Sequence, residues 1–307
     1  MKFNKEQSLN AIDLEIQKLL ERKMRIQQHV RDVVEDPHVV YQGAPGAYSE
    51  MAAIKFFGSD VKTTGYPNFR DSFIALKNET ADYAVLPIEN SSTGAIRQVY
   101  DLLVEFECYM VGETSVPIAH CLVGMPGATL DDIDSVYSHE QGLFQCEKFL
   151  DQYPSWERVP FGDTAGSAKM VSETGDIHKA AICSSRAAEL YGLDILKEGI
   201  QTRGKNTTRF VVVSPIMELR DGRDKLCLSF AVKHDEDSLH RALSIFANHK
   251  IKLIHVESRP VIEKNWEYTY FLELKANLTD PGMEDIMFSV RDVTSDLRIF
   301  GNYVSNL

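Results

Sequence analysis

The stretch NTTRFVVV, residues 206–213, joins a cluster of polar side chains to a run of β-branched residues. The valines at its end are typical of a strand buried in a parallel or mixed sheet. An amide, two hydroxyls and a guanidinium precede them, and polar groups at the end of such a strand commonly contact a ligand. A turn in which the hydroxyls bond to their own backbone explains the same residues equally well. The rest of the chain has to decide between these two interpretations.

The 307-residue chain has the composition of a globular protein, 44% hydrophobic and 25% charged, and is long enough for about two domains. A formal net charge of -12 argues against binding to the phosphates of nucleic acid. The 5 cysteines include no CxxC pair, which favours reduced thiols over disulfides or a zinc site. No segment resembles a signal peptide or approaches the ~20 apolar residues that cross a membrane. We therefore expect a cytoplasmic protein that binds neither nucleic acid nor membranes.

Three zones differ in their pattern, with boundaries at residues 1–36, 37–219 and 224–307. In the first zone, apolar residues recur at heptad-like spacing from residue 4 to residue 35, which predicts one amphipathic helix. Such a narrow stripe is too isolated to fold alone, so we expect it to pack on the rest of the chain or on a second copy. Pro37 cannot continue a helix and ends it.

The second zone alternates short apolar strands with helical segments. This alternation predicts a mainly parallel sheet flanked by helices, arranged as two α/β lobes around a cleft. The predicted strands are 39–42, 83–88, 135–138, 180–183 and 210–213. The predicted helices are 47–57, 69–77, 95–106, 142–153, 164–173 and 186–191.

The third zone has the order βαββαβ, which predicts a ferredoxin-like sandwich with helices on one face of an antiparallel sheet. Its predicted strands are 226–232, 253–261, 268–274 and 297–300. Its predicted helices are 238–249 and 282–293.

Polar groups follow three further strands of the second zone. The glycine-rich turn at 43–47 leads into a helix, where backbone amides can receive an anion. Glu89 and Asn90 end the next strand, and Ser138 ends another, followed by Gln145 on a helix. Each of these segments alone is compatible with an ordinary turn. Because the ends of neighbouring strands meet at one edge of a sheet, their convergence with 206–209 predicts a ligand site in the cleft.

Five motifs in order resemble those of the prephenate dehydratases: YQGAPGAYSE (41–50), PIENSSTGAI (87–96), YSHEQGLFQC (137–146), DTAGSAKMV (163–171) and NTTRF (206–210). The third zone resembles the ACT regulatory domain of that family. This resemblance implies a two-lobed, periplasmic-binding-protein-like catalytic domain that converts prephenate to phenylpyruvate in L-phenylalanine biosynthesis. It implies no metal and no organic cofactor.

The resemblance also implies the roles of particular residues. Prephenate loses its ring carboxylate as carbon dioxide and its ring hydroxyl as water, so the hydroxyl needs a donor as it leaves. The expected catalytic residues are Thr208, Asn90, Ser138 and Gln145, together with Glu89 as the only carboxyl in the motifs placed to supply a proton. We expect the departing carboxylate to stay unclamped, because a salt bridge would stabilise the ground state. The retained pyruvyl carboxylate must be held, and the expected substrate-binding residues are Arg209, Asn206, Gly43, Gly46 and Ala47.

The ACT-like zone carries the ESRP sequence of the family's phenylalanine site. The expected effector residues are Leu239, Glu257, Ser258, Arg259 and Pro260. Residues 237–240 read DSLH where the family has a GALV-type sequence, and Glu140 stands where many members have proline. We expect feedback inhibition by phenylalanine. We also expect a homodimer or homotetramer, because ACT domains commonly pair and the apolar stripe of the N-terminal helix needs a partner.

Two alternative functions remain open at this point. One is an arogenate dehydratase, which acts on the amino-acid analogue of prephenate, and the other is a catalytically silent amino-acid sensor. The N-terminal helix resembles the first helix of the helical chorismate mutases, with AID at 11–13 and LLER at 19–22. Those enzymes need further helices that this chain lacks, so we interpret the helix as a remnant without mutase activity.

Overall fold

The computed structural model describes residues 30–31, 34–204, 206–218, 222–232, 237–260 and 268–306. Within them the chain forms a mixed α/β fold of four sheets. The strands are β1 Val30–Arg31, β2 His38–Gln42, β3 Lys62–Tyr66, β4 Tyr83–Asn90, β5 Gly94–Ala95, β6 Tyr109–Pro117, β7 Cys121–Gly124, β8 Ser135–Ser138, β9 Glu157–Pro160, β10 Lys179–Cys183, β11 Asp194–Lys197, β12 Thr207–Ser214, β13 Met217–Glu218, β14 Lys225–Val232, β15 Lys252–Pro260, β16 Tyr268–Lys275 and β17 Ser295–Tyr303. The helices are α1 Tyr48–Phe57, α2 Phe69–Lys77, α3 Arg97–Glu105, α4 Glu140–Gln145, α5 Glu147–Leu150, α6 Thr164–Thr174, α7 Ser185–Leu190, α8 Ser238–Asn248 and α9 Met283–Val293.

The first lobe is built on a sheet of order β3-β2-β4-β12-β6, with β5 paired to β4. Strands β3, β2 and β4 are parallel, whereas β12 is antiparallel to both of its neighbours. The prediction of a mainly parallel sheet is therefore wrong on this side. Strand β12 enters the sheet after the chain has passed through the second lobe, and it runs opposite to β4 and β6. Its valines are fully buried, as expected for an inner strand covered on both faces.

The second lobe has a five-stranded sheet of order β11-β7-β10-β8-β9. Strands β10, β8 and β9 are parallel, and β7 is antiparallel to β10 and β11. The chain passes between the lobes twice, through residues 118–120 and again through the segment before β12. The amide of Ile118 donates to the carbonyl of Asn206 at 2.8 Å, so the two crossings are joined. This confirms the predicted two-lobed architecture.

The C-terminal sheet has the antiparallel order β15-β16-β14-β17, and α8 and α9 complete the predicted βαββαβ arrangement. Its own core includes Phe230, Phe246 and Leu272. The ferredoxin-like prediction for this zone is confirmed.

The C-terminal sheet packs directly on the first lobe. Phe271, Phe300 and Tyr303 belong to the same apolar cluster as Val211 and Val213 of β12. Gly301 lies so close to the carbonyl oxygen of Met110 on β6 that any Cβ there would clash with it. The strand that carries the NTTRF motif is therefore covered by the C-terminal sheet.

Most of the predicted N-terminal helix lies outside the described residues. At its C-terminal end, Val30–Arg31 pairs in parallel with Met217–Glu218, so the helix prediction is wrong for these two residues. Val30 is β-branched, and pairing with β13 holds the backbone extended there.

Candidate active site

A cavity of about 500 Å³ lies between the two lobes of the second zone. The first lobe contributes the ends of β4 and β12 and the N-terminus of α1, and the second lobe contributes the N-termini of α4 and α6. Most of the polar side chains that line it are uncharged. They include Gln42, Ser49, Asn90, Gln98, Gln141, Gln145 and Thr208. The cavity therefore lies where the sequence motifs predict a ligand site.

The pairing of β4 with β12 brings two of the predicted residues together. Thr208 lies opposite Asn90 in the antiparallel register, at the carboxyl end of β4 and the amino end of β12. Because side chains alternate along a strand, Thr208 and Phe210 face the cavity, while Arg209 points to the other side of the sheet.

The orientation of the Asn90 amide is fixed by the backbone that follows it. Its Oδ1 accepts hydrogen bonds from the amides of Ser92 at 2.9 Å and Thr93 at 3.2 Å. Its Nδ2 therefore faces the site and donates to Thr208 Oγ1 at 2.9 Å and to Asn206 Oδ1 at 2.7 Å. Because the Thr208 oxygen accepts from Asn90, the Thr208 hydroxyl keeps its own hydrogen for a group in the cavity.

Gln145 and His120 extend this network into the second lobe. Gln145 Oε1 accepts from Asn206 Nδ2 at 3.1 Å and from His120 Nε2 at 2.9 Å. Burial lowers the pKa of His120 below its ordinary value of 6.5, although the hydrogen bond to Gln145 acts in the opposite direction. Sequence reasoning missed His120, because a single histidine in an apolar crossing segment has no spacing pattern to mark it.

Ser138 lies beneath the cavity wall rather than at its surface. It is fully buried and its Oγ donates to the carbonyl of Ile182 at 2.8 Å. A Cβ on Gly142 would lie 2.6 Å from this oxygen, so Ser138 packs directly against the first turn of α4. The expectation that Ser138 donates to the substrate is wrong for this arrangement, because its hydrogen is already used.

Arg209 belongs to a buried ion cluster on the opposite face of the sheet, and the partly exposed Glu89 lies at its edge. Arg209 is 7% exposed and forms ion pairs with Glu89, Glu113 and Glu273 at 3.1, 3.1 and 2.7 Å. Burial disfavours its charge, but the attraction of Glu273 and Glu113 outweighs this and raises the pKa of Arg209. The expectations that Arg209 binds the substrate and that Glu89 supplies a proton are therefore wrong, because both side chains face away from the cavity.

The glycine-rich turn does not offer free amides to an anion. The amides of Gly43 and Ala47 donate to the carbonyls of Tyr66 and Ala44 at 2.8 and 3.0 Å. Those of Ala44 and Gly46 donate to the carboxylates of Asp163 and Glu50 at 3.4 and 2.7 Å. The expected carboxylate-binding role of this turn is thus wrong, because every amide in it has a partner. Gly43 and Ala47 line the cavity.

Gly46 instead brings the lobes together. It has a positive φ of 91°, and a Cβ at this position would lie 2.9 Å from Cα of Ala187 in the second lobe. Only glycine permits this approach. Ser184 Oγ in the second lobe also donates to the Gly46 carbonyl at 2.9 Å.

The predicted effector residues lie on the edge strand β15 and on α8. Glu257 accepts from Arg97 Nε at 3.3 Å, and Arg259 Nε donates to Asp101 at 3.0 Å. These two residues therefore connect β15 to α3 of the first lobe. Ser258 and Pro260 are exposed, and Leu239 packs against the core of the C-terminal sheet.

In the described part of the chain, no three His, Cys, Asp or Glu side chains are grouped closely enough to hold a metal ion. No described helix is both long and apolar enough to span a membrane. All five cysteines are free and buried.

Residues 39–217 match the family model described as prephenate dehydratase. Arogenate dehydratase 3 of Arabidopsis thaliana, a chloroplastic protein, is 38% identical over 282 residues, which cover 86% of this chain and 66% of the plant protein. The bifunctional chorismate mutase/prephenate dehydratase of Escherichia coli K12 is 33% identical over 295 residues, which cover 94% of this chain and 76% of that protein.

Solved structures with the same fold include two at 28% identity. The prephenate dehydratase of Arthrobacter aurescens in complex with L-Phe has a TM-score of 0.78 and covers 87% of this chain and 89% of its own. GqqA, described as a quorum-quenching acylase, has a TM-score of 0.79 and covers 88% of this chain and 98% of its own. These neighbours confirm the two-lobed fold with its C-terminal sheet domain. With the match of residues 39–217, they show that the chain belongs to the prephenate dehydratase family of lyases.

Proposed function

We propose that the chain removes carbon dioxide and water from prephenate and releases phenylpyruvate. The observation that carries this proposal is the orientation of Thr208, whose oxygen accepts from Asn90 on the wall of the cavity. A hydroxyl held in this way donates its hydrogen to a ligand and carries no charge itself. This is the hydrogen bond that the departing ring hydroxyl needs as negative charge develops on it, and the departing oxygen then takes from solvent the proton that completes a water molecule.

The charge of the cavity supports the same reaction. Among the described residues that line it there is no lysine or arginine, and Asp163 is the only carboxylate. A cation beside the departing carboxylate would stabilise the charged ground state more than the transition state, in which that charge is being lost. A neutral wall at this carboxylate therefore favours decarboxylation, and the gain of an aromatic ring drives it.

Asp163 favours arogenate as a second candidate substrate. It lines the cavity and lies against the turn before α1, where its Oδ1 accepts from Ala44 N and Gly166 N. The ammonium of arogenate would find an anionic partner there, whereas the keto group of prephenate would not. Several relatives, including the Arabidopsis protein above, carry the name arogenate dehydratase.

The decisive experiment compares the two substrates. The purified protein is given prephenate or arogenate, and kcat/KM is measured from phenylpyruvate or phenylalanine formation. The comparison is repeated with Asp163→Asn, which keeps an N-cap residue for α6 but removes the charge. If arogenate is the substrate, the variant loses activity on arogenate and not on prephenate. Turnover of neither substrate by the wild-type protein would favour the silent sensor.

We further infer that phenylalanine inhibits the enzyme through the C-terminal domain. The ESRP residues support this, because Glu257 and Arg259 contact α3 of the first lobe and so provide a mechanical connection. The solved relative in complex with L-Phe also supports it. Titration of activity with phenylalanine tests the inference, and no response up to millimolar concentrations would contradict it.

We also infer that the chain forms a dimer or tetramer through the C-terminal sheet. Strand β15 is an edge strand, and its Leu253, Ile254 and Val256 are exposed. An exposed apolar edge strand readily pairs with another sheet. Gel filtration of the purified protein at micromolar concentration tests this, and a monomer would contradict it.

A further inference from the structure

The two groups expected to bind the retained carboxylate of the substrate have other partners. Arg209 is on the far face of the sheet, and the amides of the turn at 43–47 are all used. Prephenate and arogenate both keep this carboxylate through the reaction. A dianionic substrate in a cavity lined by no lysine or arginine among its described residues needs some other electropositive group.

The N-terminus of α1 offers such a group. No side chain caps this end of the ten-residue helix, and within the described chain nothing accepts from the amides of Tyr48 and Ser49. Both residues line the cavity. Free amides and the helix dipole together attract anions.

Of the four other described helices that begin at the cavity, α4, α6 and α2 are less suited to an anion. His139 and Asp163 cap α4 and α6 with their side chains. Asp71 lies in the first turn of α2. The fourth, α3, has neither a side-chain cap nor an acidic residue in its first turn, but the residue that it presents to the cavity there, Gln98, is exposed to solvent. Glu50 lies in the first turn of α1, but it is turned toward Gly46 and Arg186, away from the two free amides.

Ser49 is an independent indication of a ligand at this end. Ser49 lines the cavity and is only 6% exposed. Its hydroxyl has no hydrogen-bond partner among the described residues. Because this hydroxyl is open to the cavity and is not satisfied by the protein, it is available to donate to a ligand that fills the cavity.

We propose that the N-terminus of α1, with Ser49, binds the retained side-chain carboxylate of the substrate. This rests on the proposed function, which supplies a substrate with that group. The Ser49 hydroxyl and the amides of Tyr48 and Ser49 donate to the carboxylate oxygens. Asp163 lies beside the turn that leads into α1. In this arrangement its carboxylate is next to the substrate carbon that bears the retained carboxylate, where prephenate has a keto group and arogenate an ammonium.

The test uses Ser49→Ala, with Ser72→Ala as the matched control. Ser72 is a second buried serine without a hydrogen-bond partner for its Oγ, but it lies on α2 away from the cavity. Loss of one hydrogen bond to a charged group is expected to raise KM about tenfold in Ser49→Ala, with kcat changed much less. Ser72→Ala is expected to keep the KM of the wild-type protein.

Ser49→Asp tests the site from the opposite direction. Its carboxylate would occupy the free amides and repel the substrate, so KM is expected to rise about 100-fold or more. An acidic residue in the first turn interacts favourably with the helix dipole, so the variant is expected to keep the thermal unfolding temperature of the wild-type protein. A normal KM in both Ser49 variants would overturn the proposal.

Calorimetric titration with phenylpyruvate separates the two carboxylates. Phenylpyruvate keeps only the retained one, so Ser49→Ala is expected to bind it about tenfold more weakly than the wild-type protein does. A raised KM for substrate with unchanged phenylpyruvate affinity would place the departing carboxylate at α1 and overturn the proposal. Turnover of neither prephenate nor arogenate by the wild-type protein would instead refute the proposed function, and the titration would still test the site.

Discussion

Arg209 on β12 and Glu273 on β16 form an ion pair at 2.7 Å that joins the strand of the catalytic motif to the C-terminal sheet. Lys225 on β14 completes the cluster, with its Nζ 2.8 Å from Glu113 and 3.2 Å from Glu273. Thr208 precedes Arg209 and faces the cavity on the other side. The position of the Thr208 hydroxyl, for which we propose a catalytic role, is therefore set partly by charges that belong to the C-terminal domain.

Glu273→Gln is expected to destabilise the protein by about 3 kcal/mol, because it leaves Arg209 and Lys225 buried with too little negative charge. The measurement is urea unfolding at neutral pH. Glu173→Gln serves as the control, since its ion pair with Lys169 is exposed on α6 and contributes at most about 0.5 kcal/mol. Equal decreases in the free energy of unfolding of the two variants would show that the buried ion pairs stabilise the protein no more than an exposed one does.

Asn90→Asp is expected to lower kcat about 100-fold or more, because it replaces the amide that donates to Thr208 by a carboxylate that accepts from it. The Thr208 hydrogen would then be given to the new carboxylate rather than to the substrate. Gln98→Glu adds the same charge to the cavity wall and has no hydrogen bond to Thr208. It is expected to raise KM but to leave kcat closer to the wild-type value.

His120 gives a pH dependence of stability with a defined sign. Its pKa in the folded protein lies below the ordinary 6.5 because of burial. As the pH falls to about 6.5, His120 therefore binds a proton in the unfolded chain, whereas in the folded protein it stays neutral at this pH. The stability contributed by the neutral ring is present above that pH and is lost as the pH falls below it.

The check is urea unfolding of the wild-type protein and His120→Asn at pH 7.5 and 5.5. The wild-type protein is expected to lose more stability on acidification, by up to about 1.4 kcal/mol per pH unit. Carboxylates contribute equally to both proteins, so the difference reports the histidine. Identical pH profiles would contradict the assignment.

The cysteines are expected to be unreactive in the folded protein. Burial raises the pKa of Cys108 and Cys146 to about 12, and it also raises the pKa of Cys121, Cys183 and Cys227. A thiol reagent at pH 8 should therefore modify them only after urea is added. Rapid modification of the native protein would show that one of these thiols is exposed.

The sequence alone led to most of the architecture, because apolar periodicity and breakers mark regular elements. Helix 69–77 and strand 135–138 have the predicted bounds. Polar or half-exposed strands such as β3 and β9 were missed, because their burial is decided by neighbours distant in sequence. The predicted helix 142–153 is divided at Cys146 into α4 and α5.

The motifs predict the location of the site, but several of the predicted side-chain contacts are wrong. The motifs identified Asn90, Thr208 and Gln145, which the structure gathers at one cavity. Because side chains alternate along a strand, Arg209 and Glu89 face the side of the sheet opposite to their neighbours Thr208 and Asn90. The prediction from the motifs places all four residues in the cleft, which this alternation does not allow.

The central claim is that the Thr208 hydroxyl assists the departure of the substrate's ring hydroxyl. Its most direct test is kcat on prephenate and arogenate for Thr208→Ala and Thr207→Ala, with circular dichroism and urea unfolding to verify the fold. Thr207 is adjacent on β12 but does not line the cavity. The account predicts that Thr208→Ala lowers kcat about 100-fold to 1,000-fold with the fold intact, while Thr207→Ala stays close to wild type. Full activity in Thr208→Ala would contradict it.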